Sequence, residues 1–134
     1  MDRVFLDSNV LFSAAYGTGK LGAGLRRLWD LAETELISSA YAFEEARRNL
    51  TAEDQRSRLE DPVRRVQIVP EASASLPVPV TLPEKDAPIL RAAIHAGATH
   101  LLTGDRIHFG ALYGQVVSGV YILQPAEYLR GKIE

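Results

Sequence analysis

Short apolar, β-rich runs alternate along the chain with longer stretches of helical periodicity, and no other feature constrains the fold as tightly. The first run, Val4-Phe5-Leu6, is followed by Leu21, Leu25, Leu28, Trp29 and Ala32 at helical spacing, which predicts a strand and then an amphipathic helix. A second strand is expected from Glu35 to Ser38 and a helix from about Ala40 to Leu50. A charge-rich helix from about Ala52 to Val63 should follow, with Thr51 as its N-cap. Val66 to Val69 reads as a strand closed by Pro70, and Glu71 to Pro83, rich in Pro, Ser and Ala, reads as a surface loop. A helix from about Lys85 to Ala96 should stop at Gly97 and lead into the strand His100 to Thr103. Val120 to Leu123 is the last expected strand, and Pro125 to Arg130 a short closing helix with proline in its first turn.

Parallel strands need long crossovers, and helices supply them. The alternation therefore predicts a three-layer α/β/α fold with a central parallel sheet. At 134 residues and 46% hydrophobic, the chain is sized for one domain, residues 1–134, with enough apolar material for a core. In such open sheets the ligand crevice lies beyond the carboxyl ends of the strands. The residues to weigh are those that come just after strands.

Two of these are acids. Asp7 follows Val4-Phe5-Leu6, and Asp105 follows Leu101-Leu102-Thr103-Gly104, so both are expected at the same rim of the sheet. Two anionic side chains converging there repel unless a cation lies between them. Asp86 opens the helix that feeds the second of these strands, and Glu45 lies in the helix after the second strand, beside the small Ala42 and Ala46. Four oxygen donors without cysteine or paired histidines describe a site for a hard cation, Mg²⁺ or Mn²⁺, and not for zinc. Such a metal orients and deprotonates water and offsets charge on a phosphodiester. Each acid also has an ordinary structural role open to it. Asp86 before Ala87-Pro88 fits an N-cap, Asp7-Ser8-Asn9 and Asp105 fit turns, and Glu45 fits a solvated helix face.

Composition narrows the classes further. The absence of cysteine excludes disulfide scaffolds, thiolate metal sites and cysteine nucleophiles, and it suits a reducing, cytoplasmic setting. A formal charge of −2 gives no global basic signal, so contact with nucleic acid would need a local patch. Arg47 and Arg48, then Arg56, Arg58, Arg64 and Arg65, are the candidates, although Glu53, Asp54, Glu60 and Asp61 balance them. No signal-peptide core follows Met1-Asp2-Arg3 and no apolar run is long enough to span a bilayer, so no membrane partner is expected.

Three blocks of sequence together resemble the PIN-domain family. They are Val4-Phe5-Leu6-Asp7-Ser8-Asn9-Val10-Leu11, the segment Ser39 to Leu50 with its acid-bearing helix, and Asp86-Ala87-Pro88-Ile89 continuing through Gly97-Ala98 to Leu101-Leu102-Thr103-Gly104-Asp105. The resemblance implies that Asp7, Glu45, Asp86 and Asp105 form the acidic cluster of a metal-dependent ribonuclease, with Asn9 and Thr103 in support. Glu45 is preferred to Glu44 by its distance from Ser39, and a one-residue shift would turn the acid about 100° away. Many members of the family carry a further acid where this chain has Arg106-Ile107-His108-Phe109; His108 is read either as a polar residue packed beside Phe109 or as a contact to phosphate or to Asp105.

Small chains of this kind are often toxins of toxin–antitoxin pairs, VapC-like in type. An RNA substrate, a cognate antitoxin and a homodimer are therefore expected. The alternative is a PIN-like module without catalysis that binds RNA or protein. A phosphotransferase of the haloacid-dehalogenase type also places an Asp after its first strand, but it needs a second Asp two residues later, where this chain has Asn9.

Overall fold

The computed structural model describes residues 1–16, 25–50 and 64–133. Six strands form one sheet: β1 (Asp2–Leu6), β2 (Thr34–Ser39), β3 (Gln67–Val69), β4 (His100–Leu102), β5 (Val116–Val117) and β6 (Val120–Leu123). Their order across the sheet is β3-β2-β1-β4-β6-β5. Every pairing is parallel except that of β5 with β6, so the central sheet is parallel as expected and a single two-residue strand adds an antiparallel edge. Five helices accompany it among the described residues: α1 (Ser8–Tyr16), α2 (Ala40–Asn49), α3 (Ala87–His95), α4 (Arg106–Phe109) and α5 (Pro125–Ile133).

Successive residues of a strand point to opposite faces of the sheet. Val4, Phe5 and Leu6 are nevertheless all fully buried, as are Leu101 and Leu102. Both faces of the central strands are thus covered, which is the condition a parallel sheet needs and the reason these strands read as unbroken apolar runs. The fold is a three-layer α/β/α sandwich.

Several boundaries follow from local chemistry. Ser39 ends β2 and caps α2, its hydroxyl accepting from the Ala42 N–H at 3.2 Å. Gly97 closes α3 with φ near +69°, and the Gly97 and Ala98 N–H groups bond back to Ile94 and Ala93, the paired return that a left-handed residue permits at a helix end. Ser118 and Gly119, both at positive φ, form the tight turn that joins β5 to β6.

Three expectations are corrected. The stretch after Asp7 is not a turn leading to a distant helix: α1 begins at once at Ser8 and buries Val10, Leu11, Ala14 and Ala15. The amphipathic helix expected through Ala32 gives way to a 3-10 turn at Arg27–Asp30, because Glu33, at φ near 63°, turns the chain into β2 and leaves Ala32 exposed. Leu25, Leu28 and Trp29 still reach the core. The closing helix continues past Arg130 to Ile133. The helix expected over Ala52 to Val63, with Thr51 and the arginines within it, and Leu21 lie outside the described residues.

β1 lies between β2 and β4, and the chain, having passed outward through β2 to β3, crosses back to place β4 on the other flank of β1. The carboxyl ends of β1 and β4 flank this switch of direction, where an open sheet leaves a crevice.

Candidate metal centre

Asp7 leaves β1 at that crevice and is buried. The strand ladder reaches it, since its N–H donates to the Leu102 carbonyl at 3.0 Å, so its backbone is set by the β1–β4 pairing. Its carboxylate accepts from the Ser8 N–H at 2.7 Å, the Thr103 hydroxyl at 2.8 Å and the Asn9 amide at 3.1 Å. The Asn9 carbonyl in turn accepts from the Gly104 N–H at 2.7 Å. That approach explains the glycine, because a Cβ on residue 104 would stand 3.3 Å from the same oxygen. Thr103 and Asn9 therefore hold one carboxylate in a fixed orientation and tie the end of β1 to the loop after β4.

Glu45 reaches the same place from α2, where α1 and α2 pack together. The Ser8 hydroxyl donates to its carboxylate and stands 3.3 Å from Asp7, linking the two acids. Glu44, one residue earlier, faces solvent. Asp86 at the head of α3 and Asp105 at the head of α4 complete a cleft of about 300 Å³, which Asp7, Glu45, Asn49 and Lys85 also line. Tyr41 flanks the cleft and donates its hydroxyl to the Lys85 carbonyl at 2.7 Å.

Asp86 and Asp105 differ sharply in their support. Asp105 caps α4, accepting from the His108 N–H at 3.1 Å, and its second oxygen lies 2.7 Å from His108 Nδ1. Asp86 occupies the N-cap position of α3 but makes no capping bond, so the ordinary role open to it from the sequence is not the one it fills. Its Oδ2 is buried without a hydrogen-bond partner among the described residues. His108 Nδ1 is 3.1 Å away, but a single ring N–H cannot serve both acids, and Asp105 is nearer.

The electrostatics follow from burial. Desolvation pushes Asp7 up to about 6, and the Glu45 and Asp86 charges add to it, while the bonds from Thr103 and Ser8 work the other way. Asp86 is also raised, chiefly by burial, with His108 and Lys85 opposing and Asp105 and Glu45 reinforcing the shift. Burial is the largest single influence on Asp105 and raises it, but the His108 bonds and charge together with the Ile107 N–H outweigh it, so it lies below the usual carboxylate range. A cleft in which burial, reinforced by neighbouring carboxylates, pushes both Asp7 and Asp86 upward is short of countercharge. A buried unpartnered oxygen, a set of oxygen donors and the deficit of positive charge fit a hard divalent cation held by Asp7, Glu45, Asp86 and Asp105.

The structure thus brings all six residues singled out from the sequence, the four acids with Asn9 and Thr103, to one cleft or its wall. Sequence reasoning missed the bridging role of Ser8, since a hydroxyl after an acid is also common in plain turns. It likewise missed Lys85 at the rim. His108 was noticed, but its double approach to Asp86 and Asp105 joins residues 22 and 3 positions away, and no local pattern encodes the longer of these.

An α/β/α sandwich with a carboxylate-lined cleft at the switch point of its sheet defines the class. A PIN-domain family model matches residues 3–107, and the chain belongs to the PIN-domain family. No curated protein sequence matches it. Among solved structures it is similar to a chain in the crystal structure of VapBC2 from Rickettsia felis bound to a DNA fragment from their promoter, with a TM-score of 0.62 and 16% identity over 91% of this chain and 98% of that one.

Proposed function

We propose that this protein is a metal-dependent endoribonuclease in which Asp7, Glu45, Asp86 and Asp105 hold Mg²⁺ or Mn²⁺. The observation that carries the reading is the convergence of four carboxylates from four separate elements on one cleft, one of them with a buried oxygen left unpartnered. A bound divalent cation supplies Lewis acidity and a more acidic water for attack on a phosphodiester. The protein's own part is orientation: Thr103, Asn9 and the Ser8 N–H fix Asp7, and the Ser8 hydroxyl fixes Glu45 against it. Lys85 places a positive charge at the rim, where it attracts a phosphate backbone.

Family membership supports nuclease chemistry, and the likeness in fold to a VapBC2 chain supports the more specific role of toxin in a toxin–antitoxin pair with a cognate antitoxin; a homodimeric state is part of the same proposal. The test is cleavage of a mixed-sequence RNA with added Mn²⁺. Wild-type protein should cut it and chelation should stop the reaction. Asp7→Asn should be inactive with an unchanged circular dichroism spectrum; cleavage by that variant at the wild-type rate would remove the catalytic assignment.

A further inference from the structure

His108 stands out once the four acids have been assigned, because its ring is turned toward two of them. Its neighbour Ile107 is 90% exposed, whereas the His108 side chain is 28% exposed and directed inward. Nδ1 lies 2.7 Å from Asp105 Oδ2 and 3.1 Å from Asp86 Oδ2. Adjacent ligands of an octahedral ion bound at about 2.1 Å stand about 3 Å apart, so Nδ1 already lies at the spacing of a neighbouring ligand from each of the two carboxylate oxygens. Ligand atoms from all three residues lie within 4.8 Å of one another. Independently, Asp86 Oδ2 is a buried acceptor with no donor, and it points to the same spot.

We propose that His108 is itself a ligand of the metal centre, through Nδ1 alongside Asp86 and Asp105, and that this nitrogen biases the centre toward transition-metal divalents over Mg²⁺. The inference rests on the reading of the cleft as a metal centre. Ligation needs the Nδ1 lone pair, so the metal-bound imidazole is the neutral ring with its proton on Nε2. Imidazole adds little for Mg²⁺, which favours oxygen and keeps its waters, and adds progressively more along the series from Mn²⁺ to Co²⁺. A merely structural histidine would treat all three ions alike.

The experiment is calorimetric titration of the metal-free protein with Mg²⁺, Mn²⁺ and Co²⁺, for wild type, His108→Ala, His108→Asp and Asp7→Asn, each checked for folding by thermal melting. His108→Ala should weaken Co²⁺ binding by about tenfold or more, Mn²⁺ binding less, and Mg²⁺ binding least. His108→Asp should restore Mg²⁺ binding at least to the wild-type level while narrowing the preference for Co²⁺. An equal loss for the three ions in His108→Ala, no loss, or tighter binding once the ring no longer occupies the site would overturn the assignment. If Asp7→Asn abolishes binding while His108→Ala behaves as wild type, only this inference fails; if wild type binds none of the ions, the metal-centre reading fails with it.

Discussion

Asp7 shows how a residue that accepts hydrogen bonds from three neighbours can still be held away from its ordinary ionisation. Its unfolded value of 3.8 rises to about 6 on folding, so the folded state binds the proton more tightly. Metal-free protein should lose stability as pH rises from about 4 to 6, by on the order of 2 to 3 kcal/mol from this group, and level off above. Asp105 has the opposite sign: its lowered value contributes stability above the ordinary carboxylate range, which is lost only on further acidification. Urea denaturation of the metal-free protein between pH 4 and 7 checks this, since the slope assigned to Asp7 should vanish in Asp7→Asn and persist in Asp105→Asn. The glutamates offer a second comparison at this scale. Glu45 accepts from Ser8 beside Asp7, while Glu44 faces water. Glu45→Gln should slow single-turnover RNA cleavage at saturating Mn²⁺ by at least about tenfold, equivalent to about 1.4 kcal/mol, with Glu44→Gln near wild type. The reverse ranking would assign the role to Glu44.

At the scale of elements, the helices with strong end signals were legible and the elements that depend on partners were not. α2 and α3 have Ser39 and Gly97 as visible punctuation, and both form where those residues place them. α1 was hidden because Ser8 and Asn9 favour turns as much as helix starts, and because its own apolar residues follow a strand without a break. β5 has only two residues, so no periodicity can announce it; it exists by pairing with β6 across the Ser118-Gly119 turn. That turn yields a prediction. Gly119 has φ near +85° with open space where a Cβ would lie, so Gly119→Ala should cost about 1 kcal/mol through backbone strain alone. A guanidinium midpoint should fall accordingly while Mn²⁺ affinity is unchanged, because the hairpin at the sheet edge is remote from the cleft. A loss of metal binding would mean that the edge supports the centre more directly than the contacts described imply.

At the scale of the whole molecule, stability and the candidate centre are coupled, since the acids that repel in the empty cleft come from β1, α2, α3 and α4 together. A cation bound only by the folded state stabilises by mass action, about 2.7 kcal/mol at one hundred times its Kd. Mn²⁺ should therefore raise the melting temperature, chelation should reverse the rise, and Asp7→Asn should show neither effect in differential scanning calorimetry. An ion-independent melting temperature would argue against a site spanning these elements. Local chemistry carried by the sequence alone determined the alternation of strands and helices, the apolar runs buried on both faces, the helix stops and the acids that follow strands, because periodicity, capping and burial act over a few residues. Tertiary structure alone decided that Ser8 bridges Asp7 and Glu45, that His108 stands between Asp86 and Asp105, that Asp86 forgoes capping, and that the sheet ends in an antiparallel hairpin. These are meetings between segments far apart in the chain, and their geometry is set by strand order and helix packing, which no local pattern contains.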